Sequence, residues 1–153
     1  MITARKIRLE PNNLQRTYLA RRAGTARFAY NWGLHRWQEN YELHKLDPAH
    51  PLPSQLSLRR ELNANKREEY PWMMDVTKCA VQESLIDLGS AFANFFKKQA
   101  KYPKPKKKHV HDSFTISSGT FGVDGDRIRI PKLGYVPMSE PLRFDGKLLS
   151  ATI

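Results

Sequence analysis

A lysine-rich segment separates two parts of the chain that differ in pattern. Between Lys97 and Lys108 lie seven lysines and no acidic residue, with Phe95, Phe96 and Tyr102 at the upstream edge. Because like charges repel and no carboxylate compensates them, this lysine segment (residues 97–108) cannot fold on itself. It must join two separately folded parts, either as a solvated linker or as a contact for a polyanion.

The remaining composition is typical of a globular domain with excess positive charge. The 153 residues are 40% hydrophobic, and 26 Lys and Arg oppose 15 Asp and Glu, for a formal net charge of +11. This length suffices for one domain with its own core. The charge indicates partners rather than a fold, with nucleic acid first and an anionic membrane surface second.

No apolar run has the length of a membrane span, and the amino terminus lacks the apolar core of a signal peptide. A single cysteine, Cys79, excludes an internal disulfide and a cysteine-rich zinc site. We therefore expect a cytoplasmic, nucleoid-associated protein without membrane contact. The sequence does not determine its oligomeric state.

Helical patterns precede the lysine segment. Asn12 or Asn13 is predicted to cap a helix that ends at Gly24, and a second helix follows in the same helical phase. After a proline-rich loop (residues 47–53), Ser54 is predicted to cap a short helix. Asp75 is predicted to cap a last helix, whose apolar face comprises Val81, Leu85, Leu88, Phe92, Phe95 and Phe96.

Strand patterns follow the lysine segment, in residues 113–118, 121–123, 127–130, 135–138 and 147–153. Asp124-Gly125-Asp126 is predicted to form a hairpin turn. Residues 2–9 also have a strand pattern, and their only partners lie at the other end of the chain. We predict an α+β fold in which a discontinuous β domain (residues 1–10 and 113–153) carries a helical insertion (11–100) and a basic linker (101–112). The chain stops at Ile153 inside a predicted strand, which we interpret as a truncation.

Five sequence blocks occur in a recognisable order and spacing: Gly24–Leu34, Tyr70-Pro71-Trp72, Ala91–Phe96, Tyr102-Pro103-Lys104 with the lysines that follow, and Ile130–Val136. Together they resemble the OrfB/TnpB family of insertion-sequence proteins, which are transposon-encoded RNA-guided DNA nucleases, also described as transposases. The resemblance implies a β-barrel-like wedge domain with an inserted helical, helix-turn-helix-like recognition domain. In the family, the nuclease domain and a four-cysteine zinc module follow the stretch that this chain covers. We therefore expect guide RNA or target-adjacent duplex DNA as partners, no cleavage by these residues, and no cofactor.

Lys78 and Gln82 match family positions that read the duplex motif beside the target. Four residues apart, they share one helix face. Lysine can donate to guanine, and glutamine can pair with an adenine edge. Alternatively they are an exposed polar pair beside a core stripe. Cys79 stands where the family has a bulkier apolar residue.

The other candidate contacts are basic side chains, which suit phosphate binding without sequence choice. For the arginines the alternative is pairing with a local carboxylate, as for Arg27. The candidates are Arg21, Arg22, Arg27 and Arg36 around the first two helices, Lys97, Lys98, Lys101, Lys104, Lys106, Lys107 and Lys108 of the lysine segment, and Arg5, Lys6 and Arg8 on the first predicted strand.

Catalytic and metal-binding patterns are not found in the sequence. His109 and His111 form only a weak metal signal, and Asp124 and Asp126 are turn residues first. Three interpretations stay open. The chain is the nucleic-acid-binding portion of a TnpB-like protein, a non-functional truncated transposase remnant, or a stand-alone regulator that uses the helices around Gly24 as a helix-turn-helix.

Overall fold

A computed structural model describes residues 1–76, 78–110 and 112–153. It contains α1 (Asn13–Leu46), α2 (Gln55–Glu69), a 3-10 helix (Pro71–Asp75) and α3 (Lys78–Phe96). The strands are β1 (Thr115–Ser117), β2 (Gly122–Asp124), β3 (Arg127–Ile130), β4 (Gly134–Pro137) and β5 (Ser150–Thr152). The predicted α+β class, with helices before the lysine segment and strands after it, is confirmed.

Helix α1 is continuous across Gly24, and the predicted helix end at this residue is wrong. Asn12 caps the helix through a capping box with Gln15, as one of the two expected residues. The helix then runs for 34 residues. A glycine inside a helix costs about 1 kcal/mol relative to alanine, and here packing on both sides outweighs that cost. The helix pair required for a helix-turn-helix regulator is therefore one helix.

The caps of the later helices agree with the sequence in part. Ser54 caps α2, as predicted, and forms a capping box with Ser57. The helix ends at Glu69, with Tyr70 as its C-cap before Pro71. Asp75 is not a cap, because it is the last residue of the 3-10 helix. The residue before α3 lies outside the described residues. Phe96 is not on the buried face of α3 either, since 65% of it is exposed.

The described strands form two separate antiparallel sheets rather than one closed barrel. One sheet pairs β1 with β5, and the other has the order β2-β3-β4. The predicted hairpin turn is confirmed: Asp124 pairs with Arg127, and Gly125 between them has φ +58°. Positive φ at this position is a conformation that glycine adopts without steric cost.

The amino-terminal segment reaches the β region through Ile7 and Leu9, which pack on its core, and through one isolated β-bridge. Leu9 bridges Met138, with Glu10 N donating to Pro137 O at 2.8 Å and Ser139 N donating to Arg8 O at 2.9 Å. The predicted partner region is correct, but the predicted strand over residues 2–9 is wrong. Residues 2–6 are exposed and lack an apolar anchor on the sheet.

Helix α1 contributes to two cores. Its first half packs Ala23 and Ala26 against the β region, in a cluster that includes Ile116, Ile130 and Val136. Its second half packs against α2 and α3, through Ala29, Tyr30 and Leu34 with Leu58, Leu62, Leu85, Leu88 and Phe92. Helix α1 therefore links the β region to the other helices, and α3 adds to this link because its Ala80 lies in the same cluster as Ile116 and Ile130.

Gly24 and Gly33 provide a matched test of this arrangement. An alanine Cβ at Gly24 would meet only Arg27 Nη2, at 3.7 Å, whereas at Gly33 it would lie 2.6 Å from Leu85 Cδ2 and 2.9 Å from Leu88 Cδ2. Gly24→Ala and Gly33→Ala both replace glycine by alanine inside α1, so they gain the same helix propensity. We expect Gly24→Ala to raise the free energy of unfolding by about 0.5–1 kcal/mol. Gly33→Ala should be about 1–3 kcal/mol less stable than Gly24→Ala because of overpacking.

Urea unfolding followed by circular dichroism measures both variants. A Gly24→Ala variant that loses stability would contradict a continuous α1. A Cβ at Gly24 meets no close contact, so alanine would be unfavourable there if the backbone needed a left-handed glycine.

Candidate nucleic-acid interface

The lysine segment is docked on α1 rather than free. At its start, the Tyr102 ring makes edge contacts with Phe92 and Phe95, at centroid distances of 5.6 and 5.1 Å. The Tyr102 hydroxyl accepts a hydrogen bond from Gln38 Nε2 at 3.4 Å, and Pro103 is buried. The aromatic upstream edge of the segment therefore serves as its anchor on the helices.

In the middle of the segment, one asparagine holds the backbone by two hydrogen bonds. Lys106 N donates to Asn31 Oδ1 at 2.7 Å, and Asn31 Nδ2 donates to Lys106 O at 2.9 Å. The Lys106 ammonium lies 4.3 Å from the centroid of the Tyr30 ring, a cation–π distance. The Asn31 side chain thus pairs with the Lys106 backbone as a neighbouring β-strand would, and this pairing fixes Lys106 relative to α1.

Beyond the segment, the chain is held by an ion pair between Arg27 and Asp112. The same carboxylate accepts a hydrogen bond from His109 N at 3.0 Å. The His109 backbone donor, together with Arg27, holds the pKa of Asp112 below its usual value, although desolvation acts in the opposite direction. For Arg27, the alternative of a local carboxylate partner is thus the one that the structure supports.

The lysine ammoniums of the segment form no close ion pair among the described residues, although the charge of Lys106 acts on the Asp87 carboxyl group. All seven lysines of the segment are exposed. In residues 1–76, 78–110 and 112–153, the ion pairs within 4.0 Å involve other basic side chains and none of these seven lysines. The structure thus gathers seven positive charges on a fixed backbone.

Arg22 lies in the core, although the sequence analysis placed it among the candidate nucleic-acid contacts. Its side chain is 0% exposed, with the guanidinium 4.6 Å from the Phe114 ring centroid and 5.7 Å from that of Tyr18. Nη1 donates to Pro131 O at 3.5 Å, and burial lowers the pKa of Arg22. The guanidinium joins α1 to the β region inside the core, so the prediction of a nucleic-acid contact by Arg22 is wrong in this structure. Its position beside Ala23, on the apolar phase of α1, was the available signal.

The other arginines of α1 differ in accessibility. Arg36 donates to Glu61 Oε1 at 2.7 Å, a hydrogen bond that joins α1 to α2. Arg36 also donates to Glu39, within α1. These bonds raise the pKa of Arg36 despite desolvation. Arg21 is exposed. Arg21 is therefore more accessible to a ligand than Arg36.

The three basic residues near the amino terminus are exposed and lie on irregular backbone rather than on a strand. Arg8 pairs with Glu10 at 3.0 Å. Such an exposed ion pair contributes little stability, so it leaves Arg8 able to exchange its partner. Arg5 and Lys6 are exposed and precede the bridge that joins Leu9 to Met138.

Lys78 and Gln82 lie on the first two turns of α3, and both side chains are exposed. This agrees with the predicted shared face. Lys78 also lines a groove of about 320 Å³ with Lys66, Lys132, Met73, Met74, Val76 and Val81, called the lysine groove below. Sequence reasoning missed Lys66 and Lys132, because only the tertiary fold brings these distant positions together.

A second groove, of about 390 Å³, lies beside Arg27 and Asn31 on α1. Its lining is aromatic, and it comprises Phe28, Trp32 and Tyr70 together with Gly24 and His35. Phe28 makes an edge contact with Tyr70 at a centroid distance of 4.9 Å. This packing assigns Phe28 to the helical core, and Arg27 and Asn31 are already engaged by the chain beyond α3.

In the described part of the chain, no group of three or more His, Cys, Asp and Glu side chains is placed to hold a metal ion. His111 lies outside the described residues. Among the helices that the structure describes, none combines the length and apolarity needed to cross a bilayer.

Comparison with known proteins gives matches along the chain. A family model described as a helix-turn-helix domain, of the OrfB group of IS605 elements, matches residues 1–45. Residues 13–45 of that stretch form a single helix here. The chain is 31% identical to the "Putative RNA-guided DNA endonuclease InsQ" of Escherichia coli (strain K12), over 99% of this chain and 37% of that protein. It thus spans little more than a third of the length of InsQ.

Two further relatives differ in length. The "Virulence protein VsdF" of Salmonella dublin is 30% identical over 71% of this chain and 96% of that protein. A "Putative RNA-guided DNA endonuclease" of Streptomyces pristinaespiralis is 30% identical over 76% of this chain and 29% of that protein. VsdF is therefore covered almost completely by the region that aligns with this chain.

The docking of the lysine segment predicts a protease phenotype. In Asn31→Ala, two hydrogen bonds to Lys106 are lost, which should cost about 1–2 kcal/mol of local stability. Trypsin should then cleave after Lys106, Lys107 and Lys108 about 5- to 30-fold faster, as measured by mass spectrometry of timed digests. Asn65→Ala, on the exposed face of α2, is the matched control and should leave the rate unchanged. Equal rates in the two variants would show that Asn31 does not hold the segment.

The low pKa of Asp112 predicts the direction of a pH effect. A carboxyl group whose folded pKa is depressed stabilises the docked state above its unfolded pKa and loses that contribution as the pH falls through the folded pKa. Arg27→Gln should raise the pKa of Asp112 toward its usual value, in a carboxyl ¹³C NMR titration. The His109 backbone donor should still keep it below that value. A pKa that Arg27→Gln leaves unchanged would contradict the ion pair.

Proposed function

Because the chain belongs to the OrfB/TnpB family of insertion-sequence proteins, we propose that it forms the nucleic-acid-binding portion of a transposon-encoded, TnpB-like protein. Its ligands are guide RNA transcribed from the transposon, duplex DNA beside the target, or both. The observation that carries this proposal is the lysine segment, whose seven exposed ammoniums stand on a backbone fixed by Asn31 and by the Arg27–Asp112 pair.

Fixed charges of this kind suit a phosphate backbone. Each neutralised phosphate releases counterions, so several lysines give affinity that falls steeply with salt but carries no base preference. Docking on α1 also reduces the conformational entropy that a free linker would lose on binding. The lysine segment thus supplies affinity, and sequence choice has to come from other side chains.

Sequence choice is assigned to the exposed face of α3. Gln82 and Lys78 point away from the core one helical turn apart, and an amide is able to bond an adenine edge. Arg21, Arg5, Lys6 and Arg8 are exposed and add positive charge that suits phosphate contact without sequence choice.

In this proposal the two short sheets, with residues 1–10, belong to a wedge domain. Residues 11–100 form a recognition domain inserted into it, and residues 101–112 are the basic linker back to residues 113–153. The bridge between Leu9 and Met138 supports this discontinuous layout, because it joins the two ends of the chain. We assign binding, and no DNA cleavage, to the residues of this chain. Cleavage by a full-length protein would require residues outside this stretch.

The proposal predicts that nucleic-acid affinity depends more on the charge of the lysine segment than on the total charge of the chain. Lys104, Lys107 and Lys108 are exposed, and the triple change to Gln should lower the slope of log affinity against log salt by about 2–3 for RNA and duplex DNA. Fluorescence anisotropy across a salt series measures the slope.

A matched triple variant removes the same charge elsewhere. Lys45, Arg143 and Lys147 are also exposed, and their change to Gln should alter the slope by less than about 1. If both triple variants change the slope equally, binding follows net charge alone and the lysine segment is not a specific contact surface.

A further inference from the structure

Three lysines from three different elements meet at the lysine groove. Lys66 is in the last turn of α2, Lys78 is the first residue of α3, and Lys132 lies in the turn between β3 and β4. In sequence they are 12 and 54 residues apart. The groove therefore exists only in the folded chain, where the helical part and the β part meet.

Two of the three lysines, Lys66 and Lys132, have neutral hydrogen-bond partners. Lys132 Nζ donates to the carbonyl oxygen of Met74 at 3.2 Å, and Lys66 Nζ donates to Asn63 Oδ1 at 2.9 Å. Lys132 itself has φ +64°, a conformation that is uncommon for a residue with a side chain. Hydrogen bonds to a carbonyl and an amide orient the ammoniums without neutralising them.

The groove is otherwise apolar and without acidic groups. Its remaining lining consists of Met73, Met74, Val76 and Val81, and no carboxylate is among the lining residues. Within the described ranges, none of the three ammoniums has a carboxylate partner within 4.0 Å. Desolvation, and then the charges of Lys78 and Arg67, lower the pKa of Lys66. Gathering like charges over an apolar floor destabilises the free protein, and a bound anion would remove that cost.

We propose that the lysine groove binds a backbone phosphate of a nucleic acid, with Lys66 and Lys132 acting together with Lys78. This inference rests on the proposed nucleic-acid-binding function and adds two residues that the sequence did not identify. It also changes the role of Lys78. In this inference Lys78 contributes a phosphate contact, and Gln82, one turn further along α3, contributes the base contact.

The test uses the whole chain with two probes, a random-sequence DNA duplex pool and a structured RNA. Lys66→Gln combined with Lys132→Gln should weaken binding of the preferred probe several-fold and lower its salt slope by about 1–2. The control combines Lys45→Gln with Lys147→Gln, which removes the same charge from exposed positions elsewhere, and should leave the slope nearly unchanged. The probe whose slope changes identifies which nucleic acid occupies the groove.

A footprint on the unmodified protein gives an independent readout that does not depend on folding of a variant. Lysines are acetylated with and without the bound probe, and protection is measured by mass spectrometry. Lys66 and Lys132 should be protected, while Lys45 should react equally in both samples. Changing Lys78 to Gln should weaken binding uniformly across the sequences of the duplex pool, as expected of a phosphate contact.

The outcomes separate this inference from the proposed function. If the unmodified chain binds a probe, but Lys66 and Lys132 are unprotected and the groove variant matches its control, the phosphate site is wrong and the function stands. A relaxed sequence preference of Lys78→Gln, with unchanged average affinity, would likewise overturn the phosphate role of Lys78. If the unmodified chain binds neither probe, the proposed function and the groove fail together.

Discussion

The structure depends on helix α1 remaining continuous through Gly24. Its first half packs on the β region and its second half on α2 and α3, so it links the two cores together with α3, whose Ala80 reaches the β-side cluster. Its remaining surface carries Arg27 and Asn31, which hold the chain on both sides of residues 107–111. A break at Gly24 would weaken the link between the two cores and leave α3 to maintain it.

The placement of the lysines explains why positive charge can accumulate without unfolding the chain. Lys106 is placed over the Tyr30 ring, and the other lysines of the segment face solvent, where their repulsion is screened. The buried guanidinium of Arg22 instead lies against aromatic rings. Arg22 is thus a structural cation inside the core, whereas the exposed lysines of the segment are candidate binding cations. The net charge of the chain does not distinguish the two kinds.

Local features of the sequence predicted local structure well. Ser54 and the turn at Gly125 were identified because caps and hairpins depend on a few adjacent residues. Gly24 was misassigned because its preference for a helix end is weak compared with tertiary packing. Arg22 was placed in the interface on residue type alone. The lysine groove could not be predicted from the sequence, because Lys66 and Lys132 come together only through the packing of three elements. The family resemblance, in contrast, rested on motif order and did not require the fold.

The central claim is that the lysine segment and the lysine groove together bind a phosphate backbone. The most direct measurement is the salt dependence of binding by the unmodified chain to structured RNA and to duplex DNA. Several simultaneous phosphate contacts predict that log affinity falls against log salt with a slope of about −3 or steeper for at least one ligand. A slope near zero for both ligands, or no binding at low salt, would contradict the account.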